Sequence, residues 1–418
     1  MCNGRVFGVL GLVFTLSLAA ACDDEPGPGA TPADAGADRP VDGSADLALE
    51  DTHPDVHGDG ADASPADFGG VDLRSAAPDV PVSTVPTTNK LDLVFLVDNS
   101  SSMQEEQESL RAAFPALIKS LAARPGGLPD LRVGILSSNL GAGPTAVTAN
   151  CPVGGDRGQF QVRPVCSSML KSGTFIQVAA DGANNLAAGA AGLADAFSCL
   201  AELGTTGCGY EHQLASLQFG LADQGPNNAG SFLRDDAVLG IVILSDEDDC
   251  SGSPSSADFY EDPVVGQAGS FRCSLRGHVC GGQPVPPMPF TAPLKDCVPY
   301  ERNDATEEKS RLTNVGVFSN FIKNNVKKGR ADRIFVATIM GWSDDPAATY
   351  RVVLNGLGVE IGVICSNPRT GSAAAGVRLH AFAKSFPNNA IYSICSPDLG
   401  VELGDIGKKL SALLPAAM

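Results

Sequence analysis

This sequence is short of the patterns that announce an enzyme. It holds no G-x-S-x-G, no H-E-x-x-H and no P-loop, so a serine nucleophile, a helix-borne zinc site and a phosphate-cradling loop all lack support. Histidine is scarce, with five in 418 residues. His53 and His57 fall in a linker, and His212, His278 and His380 have no sequence neighbour that suggests a triad or a metal cage, so they read as satisfied surface or boundary residues. No C-x-x-C occurs, which removes the commonest structural zinc and thiol redox motifs. Lys and Arg number 29 against 48 Asp and Glu, a formal net charge of −19, and a chain of that sign offers no footprint for nucleic acid. No internal repeat is visible.

The acidic charge is unevenly spread. Residues 23–88 carry fifteen acidic side chains against Arg39 and Arg74, are built mostly from Ala, Asp, Gly and Pro, and include Phe68 as their lone aromatic. Such a stretch buries too little apolar surface to fold, and its like charges extend it. Residues 22–88 therefore read as a disordered tether, with Asp34, Asp38, Asp42 and Asp46 solvated and not gathered into a cation site. Ahead of it, Arg5, the apolar run from Val6 to Leu18 and the small residues Ala19, Ala20 and Ala21 make residues 1–21 a secretory signal, too short for a membrane span. The cysteine that follows resembles the bacterial lipobox. That resemblance implies that Cys22 becomes the lipidated first residue, tied to a bacterial membrane, with the outer membrane or cell surface ahead of the inner one. Plain signal cleavage that leaves Cys22 free is the alternative.

Ten cysteines remain in the folded part. An exported chain meets an oxidising compartment, so disulfides are expected throughout. Cys151 and Cys166 would close a local loop, Cys199 and Cys208 would pin the loop between them, and Cys365 and Cys395 would pair across a helix. Residues 251–305 contain eight prolines and no clear period. Cys250, just before it, and Cys273, Cys280 and Cys297 within it would replace a missing core with two crosslinks, in any of three pairings.

The stretch that organises the rest begins at Leu91. Leu91, Leu93, Val94, Phe95, Leu96 and Val97 form a nearly continuous apolar run, as in a strand buried on both faces of a parallel sheet, and it stops at Asp98-Asn99-Ser100-Ser101-Ser102. Apolar residues at Leu110, Phe114, Leu117, Ile118 and Leu121 then mark a helix over 104–121. One carboxylate and three hydroxyls thus occupy the turn between a buried strand and a helix, the crevice where open α/β sheets hold ligands. In D-x-S-x-S, Asp98, Ser100 and Ser102 are hard oxygen donors with one charge among them, suited to Mg²⁺, Mn²⁺ or Ca²⁺ but too few to fill a shell. A second acidic strand end occurs where LGIVILS, 239–245, meets Asp246.

Together, LVFLVDNSSSM and IVILSDED resemble the von Willebrand factor A domain with its metal-ion-dependent adhesion site, over roughly residues 89–418, in the setting of secreted bacterial lipoproteins. The resemblance implies that Ser100 and Ser102 bind a divalent cation directly, that Asp98 and Asp246 hold it through water, and that an acidic group of a protein partner completes the shell. A threonine from a third loop normally joins them. Here that loop reads GTTGCGYEHQ, so either Thr206 or Glu211 would serve; Glu211 would tighten metal binding and weaken the pull on a partner's carboxylate. Glu247, Asp248 and Asp249 read as a wet surface turn, with an extra Ca²⁺ contact as the alternative.

Further strands are expected at 131–137, 174–178 (an edge), 334–340 and 391–394, with helices over 186–203, 307–328, 373–385 and 401–414. Val359 to Cys365 would be an extended turn. Trp342, the one tryptophan, would be an exposed anchor or a lid on the sheet's edge. The alternation predicts an α/β fold, a doubly wound, mostly parallel sheet flanked by helices, with a disulfide-rich insertion at 251–305. The function this implies is cation-dependent capture of a partner presenting Asp or Glu. An envelope scaffold with a stabilising or empty site is the alternative, and an enzyme working through the insertion is the weakest.

Overall fold

The computed structural model describes residues 88–142, 150–227, 232–252, 269–285, 294–301, 312–343, 352–355 and 358–415. The signal, Cys22 and all of the tether except Thr88 lie outside them, as does the first part of the helix expected over 307–328. Among the described residues no helix is long and apolar enough to cross a membrane.

Six strands form the central sheet: β1 (Lys90–Val97), β2 (Asp130–Ser137), β3 (Ile176–Val178), β4 (Val238–Ser245), β5 (Ile334–Met340) and β6 (Asn388–Ser393). Their order is β6-β5-β4-β1-β2-β3. All pairings are parallel except β2 with β3, which makes the short edge strand antiparallel. The helices are α1 (Gln104–Ala122), α2 (Leu193–Leu200), α3 (Gln213–Gly220), α4 (Gly269–Gly277), α5 (Val315–Asn320, running into a π-turn at Phe321–Val326), α6 (Val377–Lys384) and α7 (Leu399–Leu413).

Strand β4 is buried along its whole length and β1 from its second residue, as an unbroken apolar run requires. Leu91, Leu93, Phe95 and Val97 pack with α1, α2 and α7, while Val94 and Leu96 pack with α3, α5 and α6. The molecule around the sheet is therefore three-layered, and each buried Leu or Phe contributes about 1.5–3 kcal/mol. Helices α1 and α7 approach closely at Gly407, where an added Cβ would stand 2.7 Å from the Cβ of Ser120.

Several boundaries move for local reasons. The helix expected over 186–203 shrinks to α2 because Gly189 adopts φ +68° and a short 3-10 turn occupies Ala190–Gly192. The helix expected from 373 starts at Val377, because Cys365–Asn367 and Gly371–Ala373 pair as an antiparallel hairpin. Residues 358–361 are a strand paired with 352–355 and not a simple turn. Inside the 251–305 insertion, α4 and three short antiparallel strands, His278–Cys280, Gln283–Pro284 and Cys297–Pro299, build a satellite core around Phe271, Leu275 and Val285.

All ten cysteines are crosslinked, but not all as expected. Cys151 bonds Cys208 and Cys166 bonds Cys199. The expected Cys151–Cys166 and Cys199–Cys208 pairs exchange partners because the 3-10 turn Pro164–Met169 lies against α2, which carries Cys199, while Cys151 and Cys208 share a small buried cluster with Tyr210 and Leu312. Cys365 pairs with Cys395 as expected, and the insertion resolves into Cys250–Cys273 and Cys280–Cys297.

The expected wet turn is also corrected. Asp248 is 8% exposed and Asp249 fully buried, because the side chain of Arg378, itself fully buried, comes to meet them. Arg378 donates from Nε and Nη2 to Asp249 at 3.0 and 2.9 Å, and from Nη2 to the Thr313 carbonyl at 2.7 Å. Asp249 also accepts the Leu214 N–H at 2.9 Å and the Ser251 hydroxyl at 2.6 Å. Asp248 takes the N–H groups of Arg378 and Leu379 at the start of α6, where a carboxylate suits the helix dipole, and shares a 2.6 Å hydrogen bond with His278 of the insertion. His212, 3% exposed, bonds the Gly141 carbonyl at 2.9 Å. These two histidines are satisfied as expected, but they are interior and not at the surface.

Arg378→Ala would strip the buried Asp249 of its counter-charge, and urea unfolding with the disulfides intact should show a loss of about 3–5 kcal/mol. Lys328→Ala, which breaks an exposed pair with Asp235, should cost less than about 1 kcal/mol in the same assay.

Candidate metal centre

Strand β1 delivers Asp98 to the C-terminal edge of the sheet, between β2 and β4. The register pairs Val97 with Ser137 on one side and Leu244 on the other, so the next residues of both neighbours, Ser138 and Ser245, stand level with Asp98. Both are serines. The Ser138 hydroxyl donates to Asp98 Oδ1 at 3.2 Å and the Ser245 hydroxyl to Oδ2 at 2.6 Å, while the Ser100 N–H closes back on Oδ1 at 2.9 Å. Gln213 of α3 donates to the Ser245 oxygen at 2.8 Å, fixing that hydroxyl's direction. Burial raises the Asp98 pKa, and these donors pull it back.

The turn after Asp98 is tied to the third loop. Gln107 of α1 donates to the carbonyls of Asp98 and Gly204 at 2.8 and 2.9 Å and accepts from the N–H groups of Leu203 and Gly204 at 2.9 and 3.1 Å. The Gly207 N–H donates to the Asn99 carbonyl at 2.7 Å, and a Cβ on Gly207 would fall 2.3 Å from the Asn99 side chain. Only glycine allows that approach.

Thr206 is exposed, whereas Glu211 is 1% exposed and its backbone bridges to Asn139. Of the two third-loop candidates, Glu211 is the one buried with the strand-end acids. Its pKa stands well above the carboxylate range, through burial first, then the neighbouring charges of Glu247, Asp98 and Asp246. Asp246 is raised in the same way, by burial, Asp98 and Glu247, with the Ser102 hydroxyl acting against the shift. Both carboxylate oxygens of Glu211 and Oδ1 of Asp246 are buried and receive no N–H or hydroxyl donor, and Glu211 shares a hydrogen bond with the Glu247 carboxyl that raises its pKa further. Ser100 and Ser102 place their hydroxyl oxygens 3.4 Å apart, with Ser100 buried and Ser102 exposed. Asp98, Ser100, Ser102, Glu211 and Asp246 thus converge, and Thr206, next to the Gly207 that bonds the Asn99 carbonyl, is exposed like Ser102.

Among the described residues, no three His, Cys, Asp or Glu side chains form a ready-made metal cage. A cation at this site would therefore depend on the serine hydroxyls and on water, with the carboxylates supplying charge from around it. The donor set fits a hard divalent ion, since every donor is oxygen and the orphaned carboxylates need a positive neighbour. Sequence reasoning missed Ser138, Ser245, Gln107 and Gln213. The paired serines at equivalent strand ends were the available signal, visible once the two strands are aligned beside β1.

Two neighbours complete the setting. Glu106 is fully buried with neither oxygen partnered, its pKa raised from 4.5 to about 7 by burial and the charges of Glu105 and Asp98. Trp342 stacks on His380 of α6 with ring centroids 3.9 Å apart and is half-buried against the core, so its ring is not a freely exposed anchor.

The chain is a mixed α/β protein with a mostly parallel sheet and an acid and hydroxyl cluster at its strand ends. Compared with models of known protein families and with curated proteins, the sequence matches none.

Raised carboxylate pKa values mean that the folded state binds more protons than the unfolded chain, so stability falls as pH rises through the interval between the two. For Glu106 that interval runs from 4.5 to about 7, worth up to about 3 kcal/mol, and Asp98, Glu211 and Asp246 shift the same way. Thermal melts in EDTA should therefore give a Tm that drops from about pH 5 to about pH 7.5, and excess Mg²⁺ or Ca²⁺ should restore more of it at the higher pH. A Tm in EDTA that is flat over this range would contradict the linkage.

Proposed function

We propose that this protein is a cell-envelope binding module of the von Willebrand factor A type, in which a divalent cation, Mg²⁺ or Ca²⁺, held at the end of β1 captures an acidic group of a protein partner. The observation that carries the reading is the gathering of Asp98, Ser100, Ser102, Glu211 and Asp246 at adjacent strand ends and loops, with the oxygens of two buried acids left without donors. In this reading Ser100 and Ser102 are the direct ligands, Asp98 and Asp246 act through water, and Glu211 takes the place of the threonine in the third loop. Once bound, the cation would supply Lewis acidity toward a carboxylate, and Asp98, Ser100, Ser102, Glu211 and Asp246 would hold it. The doubly wound topology of the same family agrees with the strand order, and lipidation at Cys22 would hold the module on the outer membrane or cell surface through its acidic tether. The proposed role is binding and not catalysis.

The rival reading, a scaffold with a purely stabilising ion, draws on the donors that already surround Asp98. The two separate in one experiment. Calorimetric titration of the full chain with Mg²⁺ or Ca²⁺ should show one site, abolished by Asp98→Ala with Ser100→Ala and weakened at least about tenfold by Glu211→Gln. Thr206→Ala should leave it unchanged, and Ser102→Ala, at an exposed position, should reduce it without unfolding the protein. Acidic peptides should then bind only with metal present. Metal binding that survives the double substitution would overturn the adhesive reading, and binding of metal without metal-dependent peptide capture would leave the scaffold.

A further inference from the structure

A cleft of about 400 Å³ opens directly beside this centre, between the start of α1 and the hairpin that spans 365–373. Ser102 and Asp246 both line it, which joins the cleft to the cluster, and Asp246 also carries the buried, unpartnered Oδ1. The hairpin side is partly apolar. Ile361 and Ala374 belong to the satellite core, and Val363 remains 52% exposed beside them, an aliphatic surface that nothing in the described fold covers. The lining also carries acids. Glu105 is exposed and takes part in none of the ion pairs among the described residues, and Glu247 lines the cleft as well.

We propose that this cleft receives a short peptide segment that carries, around its acidic residue, one aliphatic side chain for the Val363 wall and one basic side chain for Glu105. The inference rests on the cation reading above and adds the chemistry of the partner to it. A volume near the lower end of ligand sites suits a few residues and not a folded surface. A segment with a single carboxylate and no cation would bring negative charge against Glu105 and Glu247, which disfavours it; a flanking Lys or Arg reverses that sign. The receiving wall is built in advance. The Cys365–Cys395 disulfide fastens the hairpin's first strand, the Ala374 N–H donates to the Asp246 carbonyl at 2.8 Å, and the Ile364 N–H donates to Ala373 at 2.7 Å, so little ordering is left for binding to accomplish.

The test uses the full chain and fluorescein-labelled tripeptides of Asp, Leu and Lys in every order, followed by anisotropy in low-salt Mg²⁺ buffer. Matched sets carry Glu in place of Lys, or Ser in place of Leu. The best Lys peptide should bind about three- to fivefold tighter than its Glu counterpart, with the difference fading at high salt. Glu105→Lys should invert that preference, and Val363→Ser should remove the preference for Leu while leaving the charge preference in place. Equal metal-dependent binding of all the acidic peptides, or a charge preference that Glu105→Lys does not move, overturns this inference and leaves the cation reading standing. No metal-dependent binding by any peptide removes both.

Discussion

The constraint on which the rest depends is the removal of one carboxylate from water. Asp98 sits at the end of a strand flanked on both sides, so its charge is sustained by the N–H of its own turn and by donors that the neighbouring strands provide. They provide them through register. With Val97 level with Ser137 and Leu244, the next residue on either side brings a hydroxyl to Asp98, and a slip of one residue in either pairing would turn that hydroxyl to the other face of the sheet. The packing of the two buried layers resists the slip, since it would also carry Phe95 and Val242 out of the layer they fill and into the one on the other face of the sheet. Hydrophobic patterning therefore holds the polar end of the sheet in place, and the hydroxyls at Ser138 and Ser245 are productive only because residues along the strands fix the alignment.

A second point follows from the four consecutive acids 246–249. Asp248 and Asp249 receive a full complement of donors from Arg378, the start of α6, His278, Leu214 and Ser251. Asp246, two residues earlier, has an orphaned oxygen, and so does Glu211 beside it. The protein evidently has the means to neutralise buried acids in this segment, and spends them on the pair that anchors the insertion. Leaving the other acids bare in a site that also holds Asp98 costs stability unless a proton or a cation joins them. The raised pKa values of Asp98, Glu211 and Asp246 are the proton solution, and the proposed cation would be the solution at higher pH.

What could be read in the sequence divides along the same physical line. Ile334–Met340 is a run of apolar residues long enough for a fully buried strand and too short for a helix, so its boundaries were legible, as were β1 and β4 with the acids at their tips. Periodicity gave α1 and α7 to within two residues at either end. The failures belong to contacts between distant segments. Cys166 finds Cys199 across 33 residues because a 3-10 turn folds onto α2, which no local pattern records. A run of acids looks solvated until a buried arginine 129 residues away comes to meet it. The burial of Glu211 and the exposure of Thr206 were likewise out of reach, since the GTTG loop does not record that Gly207 is pressed against Asn99.

The crosslinks surround the centre without crossing it. Cys250–Cys273 starts just beyond the acid run, Cys151–Cys208 lies just before Glu211, and Cys365–Cys395 fastens the hairpin over Glu106. Gly371 is pressed so close to Glu106 that a side chain there would overlap the carboxylate, which seals that acid from solvent on the hairpin side. Each loop that contributes an oxygen is thus pinned at its base by a disulfide or by Gln107, while the tip, Ser102, is left exposed. Rigid bases with an exposed tip keep oxygen donors in position before any ligand arrives, which is the arrangement the proposed recognition role would call for.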